Sequence, residues 1–335
     1  MKKLSESRAL SNMSNHETIT RSVYVLSLSD KENRTGKMQV NMQVKDGVSQ
    51  ESISIFDTDL KSLIDRYPFL QEDAIVRLRV TKNEPYFNAE KMIEQDTEEY
   101  DLQEIAERAT SKPLEIYEYI LKKVDEASSK RADSEHDSLS KLVRHIYEKR
   151  KDALLRSSSA VGYHHTGIGG NILHTGEVVN MCDCLLHTCI AKDVDRELLL
   201  AAAALHDVGK ITCYSTSDIG KASFTLEGYA FGGHHMDSLR AIEDAVKGGN
   251  YDKERIMILE NIIACHHGSR EFGDLATPMT IEGYWLHAMD DLDAKHYEAK
   301  KVIKDLEPGE SSAFQSLLKT YLYRRTDQVF EEKKT

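Results

Sequence analysis

Two hydrophobic periodicities divide the chain. Over residues 18–94, apolar and polar positions alternate in five short runs, SVYVLSLSD, KMQVNMQVKDG, ESISIFD, AIVRLRVTKN and PYFNAEKMI, with turn residues between them. Alternation of period two marks half-buried strands, and it is clearest over residues 75–80. Between the third and fourth runs, residues 59–67 carry a helical spacing. Five strands with a helix between the third and fourth is the order of an OB-fold barrel. Beyond residue 97 the apolar spacing lengthens to three and four. Pro113 opens a helix whose stripe is Ile116, Ile120, Leu121 and Val124, and the polar break SSKRADSEHDS separates it from a second helical stretch, 139–155. The pattern predicts an α+β chain, with an N-terminal five-stranded OB-fold barrel followed by an all-α helical domain. The expected division is a polar tail at 1–17, the barrel at 18–96, a helical bridge at 97–160 and the helical domain at 161–310. A further helix striped by Phe314, Leu317, Leu318 and Tyr321, and a polar tail, fill 311–335.

The helical half is organised around residues 199–210, LLAAAALHDVGK. His206 and Asp207 end an apolar, alanine-rich helix, Gly209 is expected to stop it in the left-handed conformation, and Lys210 follows. A His-Asp pair at a buried helix end needs compensation for its charge, and a metal ion supplies it. Further candidate ligands sit at core edges of other helical patterns. His174 heads the stripe Val178, Cys182, Leu185 and Cys189. His266 and His267 end a helix over 254–267, striped by Leu259, Ile262 and Ile263 and stopped by Gly268. Asp290 shares a helix face with Asp293, and His234 or His235 adds another imidazole. One such histidine is ordinarily a satisfied core residue. Five with two aspartates, all facing inward, are hard to bury without metal. A set of nitrogen and oxygen donors without cysteine suits Mn²⁺, Fe²⁺ or Zn²⁺.

Composition narrows the partners. The chain has 335 residues with 44 basic and 56 acidic side chains, a net charge of −12. It is not a general polyanion binder, so any nucleic acid must be held by a local basic groove and a metal site. On the barrel the candidates are Lys37, Lys45, Phe56, Arg77, Arg79, Lys82, Tyr86 and Phe87, with Arg77 and Arg79 on one strand face. The competing reading is a solvated sheet face with Phe56 and Phe87 in the core. The loop SSSAVGYHHTGIGG, residues 157–170, offers His164 and His165 to a phosphate or base. The five cysteines, at 182, 184, 189, 213 and 265, form no Cys-x-x-Cys pair and read as core residues of a cytoplasmic protein. No apolar run approaches the roughly 20 residues that span a membrane. The N-terminus lacks the apolar stretch of an export signal.

The order His174, His206-Asp207, His234, His266-His267, Asp290 resembles the HD superfamily of metal-dependent phosphohydrolases in its binuclear form. The stretches GGNILHTGEVV, LLAAAALHDVGK, TLEGYAFGGHH, ACHHGSREFG and LHAMDDLDAK resemble the YhaM family of 3′-to-5′ exoribonucleases over about residues 163–309, and more weakly through the barrel. One departure is that GYAFGGHH is a glycine longer than the family's Gly-His block. With His234 as ligand, Leu239 and Ile242 fit the family's apolar positions, and His235 is the alternative.

The resemblance implies hydrolysis of single-stranded RNA, with single-stranded DNA as a further substrate, to nucleoside 5′-monophosphates. A hydroxide activated between two divalent ions, Mn²⁺ foremost, would be the nucleophile. One ion would take His174, His206, Asp207 and Asp290, and the other would share Asp207 and add His234, His266 and His267. Lys210 would stabilise phosphoryl charge, and Asp293 and Lys295 would support ligands or substrate. Two alternatives stand beside this reading. One is a phosphohydrolase of small or cyclic nucleotides whose barrel is regulatory or builds a homo-oligomer. The other is a non-catalytic RNA-binding protein.

Overall fold

The computed structural model describes residues 1–33, 35–129, 135–230 and 233–330. Residues 130–134 of the polar break before residue 139, Phe231 and Gly232 of the lengthened GYAFGGHH block, and the end of the C-terminal tail lie outside the described residues. The chain divides into two compact units, Met1–Ala106 and Glu107–Thr335.

The first unit is a closed barrel of β1 (Thr18–Glu32), β2 (Met38–Lys45), β3 (Gln50–Phe56), β4 (Ile75–Asn83) and β5 (Tyr86–Gln95), ordered β1-β2-β3-β5-β4. The helix α1 (Leu60–Arg66) lies between β3 and β4, capped by Asp59, whose carboxylate accepts the Ser62 N–H. Order and helix placement fit the OB-fold that the alternating runs predict. Alternation puts Val40, Met42, Val44, Val76, Leu78 and Val80 inside the barrel, all fully buried.

Residues 1–17 are not the polar tail expected from their composition. Leu10 and Met13 belong to the barrel core, and Leu4 is buried beside them. The Leu10 N–H donates to Asp46 Oδ2 at 2.6 Å, and Arg21 Nη2 donates to the Leu4 carbonyl at 2.8 Å. The segment runs in two 3-10 turns, Leu4–Glu6 and Leu10–Asn12. Its apolar residues at 4, 9, 10 and 13 therefore follow neither the strand period nor the α-helical one.

The second unit is helical. It comprises α2 (Pro113–Ser128), α3 (Leu139–Lys149), α4 (Lys151–Arg156), α5 (Gly170–Leu185), α6 (Arg196–Leu205), α7 (Lys210–Cys213), α8 (Leu226–Ala230), α9 (Gly233–Val246), α10 (Lys253–Ala264) and α11 (Ile281–Lys304). A small hairpin of β6 (Tyr214–Thr216) and β7 (Ala222–Phe224) follows α7. Helix α6 is apolar all round and buried over residues 198–205, which makes it the centre of the unit. The helices expected as a bridge are part of this core. Ser128 Oγ and the Leu139 N–H donate to Glu197 Oε1 at 2.7 and 2.8 Å, and Tyr147 Oη donates to the Ala204 carbonyl at 2.7 Å. No helix among the described residues is long and apolar enough to cross a membrane.

Two local expectations fail. The stretch striped by Phe314, Leu317, Leu318 and Tyr321 is a bridged turn, with pairs Ser311↔Tyr323 and Gln315↔Thr320. Phe314 meets Tyr321 edge-on across it, at 5.3 Å between ring centroids. These apolar side chains stay largely exposed, so no core stabilises a short helix there. Of the cysteines read as core, Cys184 and Cys189 are exposed, because α5 turns Cys184 outward and ends before Cys189.

The buried N-terminal segment gives a direct test. Leu10→Ala should destabilise the barrel unit by about 2–4 kcal/mol, read as an earlier denaturation transition of the full-length chain. A solvated tail would leave that transition in place.

Candidate metal centre

The centre begins at the C-terminal end of α6. His206 caps the helix, Asp207 follows, and both are buried. Gly209 does not take the left-handed conformation expected of a helix stop, having φ −72° and ψ −15°. Its missing side chain answers to a close approach instead. A Cβ there would lie 2.1 Å from the His234 carbonyl oxygen and 2.7 Å from the Ser238 nitrogen. The Gly209 N–H donates to Ser238 Oγ at 2.9 Å, and Ser238 Oγ donates to the His206 carbonyl at 3.1 Å. Glycine thus lets the first turn of α9 seat against the His-Asp turn.

Three donors converge on one side of Asp207. His174 Nε2, from α5, lies 3.3 Å from Asp207 Oδ2, 3.0 Å from Asp290 Oδ1 and 3.2 Å from His206 Nε2. His206 Nε2 is 3.3 Å from Asp207 Oδ2 and 3.8 Å from Asp290 Oδ1. On the other side, Asp207 Oδ1 lies 3.6 Å from His234 Nε2 and 3.8 Å from His266 Nε2, and these two nitrogens are 3.3 Å apart. His235 and His267 complete a four-imidazole group with His234 and His266.

The two adjacent histidines of α9 differ. His234 Nε2 points at Asp207, whereas His235 Nε2 sits 3.0 Å from Asp274 Oδ1 and its ring stacks on His266. His267 is part-exposed, with Nδ1 3.2 Å from the Phe272 carbonyl, and its backbone N–H donates to Asp274 Oδ1 at 3.1 Å.

A first-row divalent ion fits this arrangement. Both carboxylate oxygens of Asp207 are buried and accept no hydrogen bond among the described residues. Metal–ligand bonds near 2.1 Å give ligand–ligand edges of about 3.0–3.4 Å, close to most of the separations above. The imidazoles are also held for ligation. His174 Nδ1 lies 2.6 Å from Asp293 Oδ2, and His206 Nδ1 and His266 Nδ1 lie 2.8 and 2.7 Å from the Ala203 and Ile263 carbonyls. Each contact orients its ring and leaves Nε2 facing the centre.

The electrostatics are those of a buried, charged cluster. Burial opposes ionisation of Asp207, yet Lys210 and the neighbouring imidazoles hold it well below the usual carboxylate range. Burial likewise opposes the charge on Asp290, and His174 holds it low. For His174, the carboxylates of Asp207, Asp290 and Asp293 override burial and hold the ring well above its ordinary value. Burial pushes His234 and His266 well down, which keeps them neutral, as ligation requires. Lys210 is buried with Nζ 2.6 Å from Asp207 Oδ2 and 3.3 Å from Ser159 Oγ, and Asp207 offsets its burial and raises it.

The loop histidines diverge. His165, expected to meet substrate, is only 1% exposed and sits at φ 51°. Its Nε2 is 2.8 Å from Glu177 Oε2, its Nδ1 is 3.6 Å from Asp293 Oδ2, and its ring packs at a tilt against Tyr297. It therefore supports the carboxylate that orients His174. His164 is half-buried beside His174, and burial, then Lys210 and His174, push it down to about 3. Asp293 faces His174, while Lys295 is exposed and paired with Asp291 at 2.7 Å.

The barrel candidates are brought to no common site. Arg77 and Arg79 do share the outer face of β4, but each has an acid: Arg77–Asp96 at 3.3 Å and Arg79–Glu90 at 3.4 Å. Lys37 pairs with Asp57, Lys82 with Glu84, and Lys45 donates to the Ile105 carbonyl. Phe87 is buried in the barrel, and Phe56 and Tyr86 are exposed. In the parallel β3–β5 register Ile53 faces Phe87, so Tyr86 and Phe56 stand four positions apart, about 13 Å, too far to stack on one another.

Sequence reasoning missed Asp274, Glu177 and Ser238. Glu177 carried a signal, being one helical turn beyond His174. Asp274 and Ser238 carried none, because their partners are set by the packing of separate elements.

Residues 171–295 match the family model described as HD domain. Over 189 residues the chain is 29% identical to the 3′-5′ exoribonuclease YhaM of Shouchella clausii (strain KSM-K16), covering 56% of this chain and 58% of that protein. The chain thus spans just over half the length of this curated relative. No solved structure matches. The helical unit, with its two histidine groups meeting at Asp207, carries an HD domain, in a chain similar over about half its length to an exoribonuclease.

Proposed function

We propose that this protein is a metal-dependent 3′-to-5′ exoribonuclease that hydrolyses single-stranded RNA, and single-stranded DNA as a secondary substrate, to nucleoside 5′-monophosphates. One observation carries the reading: the two oxygens of a single buried carboxylate, Asp207, face two separate sets of imidazoles. The HD domain and the exoribonuclease named among its relatives agree with it.

His174, His206, Asp207 and Asp290 would hold one divalent ion, and Asp207, His234, His266 and His267 a second. Mn²⁺ suits this donor set, as do Fe²⁺ and Zn²⁺. The ions would supply Lewis-acid stabilisation of phosphoryl oxygens and an activated water at neutral pH. The chain's own residues prepare the site. Asp293, backed by His165 and Glu177, fixes the tautomer of His174. Lys210 keeps a positive charge at the shared carboxylate and offsets the negative charge that grows on phosphoryl oxygens. His164, half-buried beside His174, meets a phosphate or base as a neutral ring. In the barrel, the exposed rings of Tyr86 and Phe56 are separate stacking points for bases.

Digestion of a 5′-labelled RNA, by chelator-stripped protein resupplied with Mn²⁺, tests the reading. A descending ladder is expected. Inert RNA beside hydrolysed mononucleotides or cyclic nucleotides would overturn it in favour of a small-nucleotide phosphohydrolase.

Two substitutions probe the centre. Asp207→Asn should lower turnover on the order of a thousandfold or more and reduce bound metal in elemental analysis, with helical content retained. Full metal content with retained turnover would contradict the shared carboxylate.

His234→Ala should take bound metal down by one ion and turnover with it. His235→Ala leaves the buried Asp274 short of a partner and should cost about 1–3 kcal/mol of stability, with metal content maintained. The reverse pattern would show that the ligand is His235.

A further inference from the structure

We propose that the C-terminal half of α11 carries a binding track for the phosphodiester backbone, formed by Lys301 and Lys304 with Lys300 beside them. The inference rests on the nuclease reading and specifies where the substrate strand runs a few nucleotides 5′ of the scissile bond.

Helical phase supplies the first argument. Tyr297, Lys301 and Lys304 lie seven, eleven and fourteen residues beyond Asp290, which is about two, three and four turns at 3.6 residues each. All three therefore share the face of α11 that presents Asp290 to the metal centre. Contact agrees with the phase at its first step, since the tilted rings of Tyr297 and His165 meet with centroids 4.3 Å apart. Beyond Tyr297 the helix continues, and Lys301 and Lys304 stand roughly 16 and 21 Å along its axis from Asp290.

Charge supplies the second. Lys300, Lys301 and Lys304 are exposed, and none forms an ion pair with another described residue, in a chain of net charge −12. Other lysines on the same helix and on the barrel do find acids, as Lys295 finds Asp291 and Lys37 finds Asp57. Arg324 adds a fourth cation by donating to the Lys304 and Leu306 carbonyls at the end of the helix. Lysine suits this task, because a mobile ammonium meets successive phosphates as a point charge without selecting sequence. A bland role also exists for Lys301 and Lys304, which lie in the last turn and favour the helix dipole. The two roles predict different measurements.

The test compares the full-length chain with Lys300→Ala/Lys301→Ala/Lys304→Ala and with the corresponding triple arginine variant. Anisotropy of a fluorescein-labelled oligoribonucleotide, titrated over a range of salt in chelator, reads affinity. The unfolding midpoint of the Mn²⁺-supplemented protein reads stability. The alanine variant should bind roughly tenfold more weakly, and its log–log salt slope should shrink by about 2, because each phosphate neutralised on a single strand adds about 0.7 to that slope. The midpoint should hold, and the arginine variant should keep both affinity and slope. Unchanged affinity and slope in the alanine variant would overturn the track. So would a drop in affinity that comes with a lowered midpoint and is shared by the arginine variant. If the unsubstituted chain binds RNA through these lysines but does not degrade it, the nuclease reading fails and the track stands.

Discussion

A buried carboxylate that serves two neighbours at once is the constraint on which the helical unit depends. Asp207 is almost wholly removed from water, and an ion so placed costs several kcal/mol unless matched by charge and hydrogen bonds. Lys210, His174 and His206 surround Oδ2 as ion-pair partners and Oδ1 faces His234 and His266, and neither oxygen accepts a hydrogen bond among the described residues. The surrounding architecture follows from that demand. A helix with no polar face, α6, carries the carboxylate into the core, and α5, α9 and α11, with the turn after α10, each bring a donor to it. Gly209 is the point where this convergence is tightest, because any side chain would push α9 and His234 away.

The donors were legible because they lie on or at the end of helices, on the apolar stripe whose period of 3.6 fixes the inward face. His174, the His206-Asp207 pair and Asp290 follow from such stripes. The adjacent histidines 234 and 235 do not separate by periodicity, since neighbours on a helix differ by only 100° and both can be buried. Asp274 separates them by binding His235, and it comes from a loop that periodicity does not describe. His165 was misread for a related reason. A glycine-rich loop reads as exposed, but a Cβ on Gly170 would lie 1.8 Å from the His165 carbonyl, so the loop folds tightly against α5 and buries the ring.

In the barrel, strand alternation revealed both order and core. It did not reveal the burial of the first residues, whose 3-10 turns have no long-range period, nor the neutralisation of Arg77 and Arg79. Charge partners across strands depend on register, which sequence alone leaves open. The same pairing logic shifts attention to α11. One helix presents a candidate ligand carboxylate at Asp290, an orienting carboxylate at Asp293, the Tyr297 ring against His165, and then lysines that pair with no acid among the described residues. On the proposed reading, chemistry and substrate guidance share one rigid element, which would keep their spacing fixed.

The sharing of Asp207 between two ions is the claim on which the rest turns, and anomalous diffraction from crystals of the Mn²⁺-loaded chain addresses it most directly. The account predicts two anomalous peaks roughly 3.5–4 Å apart, one among His174, His206 and Asp290, the other among His234, His266 and His267, with Asp207 contacting both. A single peak, or two peaks of which only one touches Asp207, would contradict it.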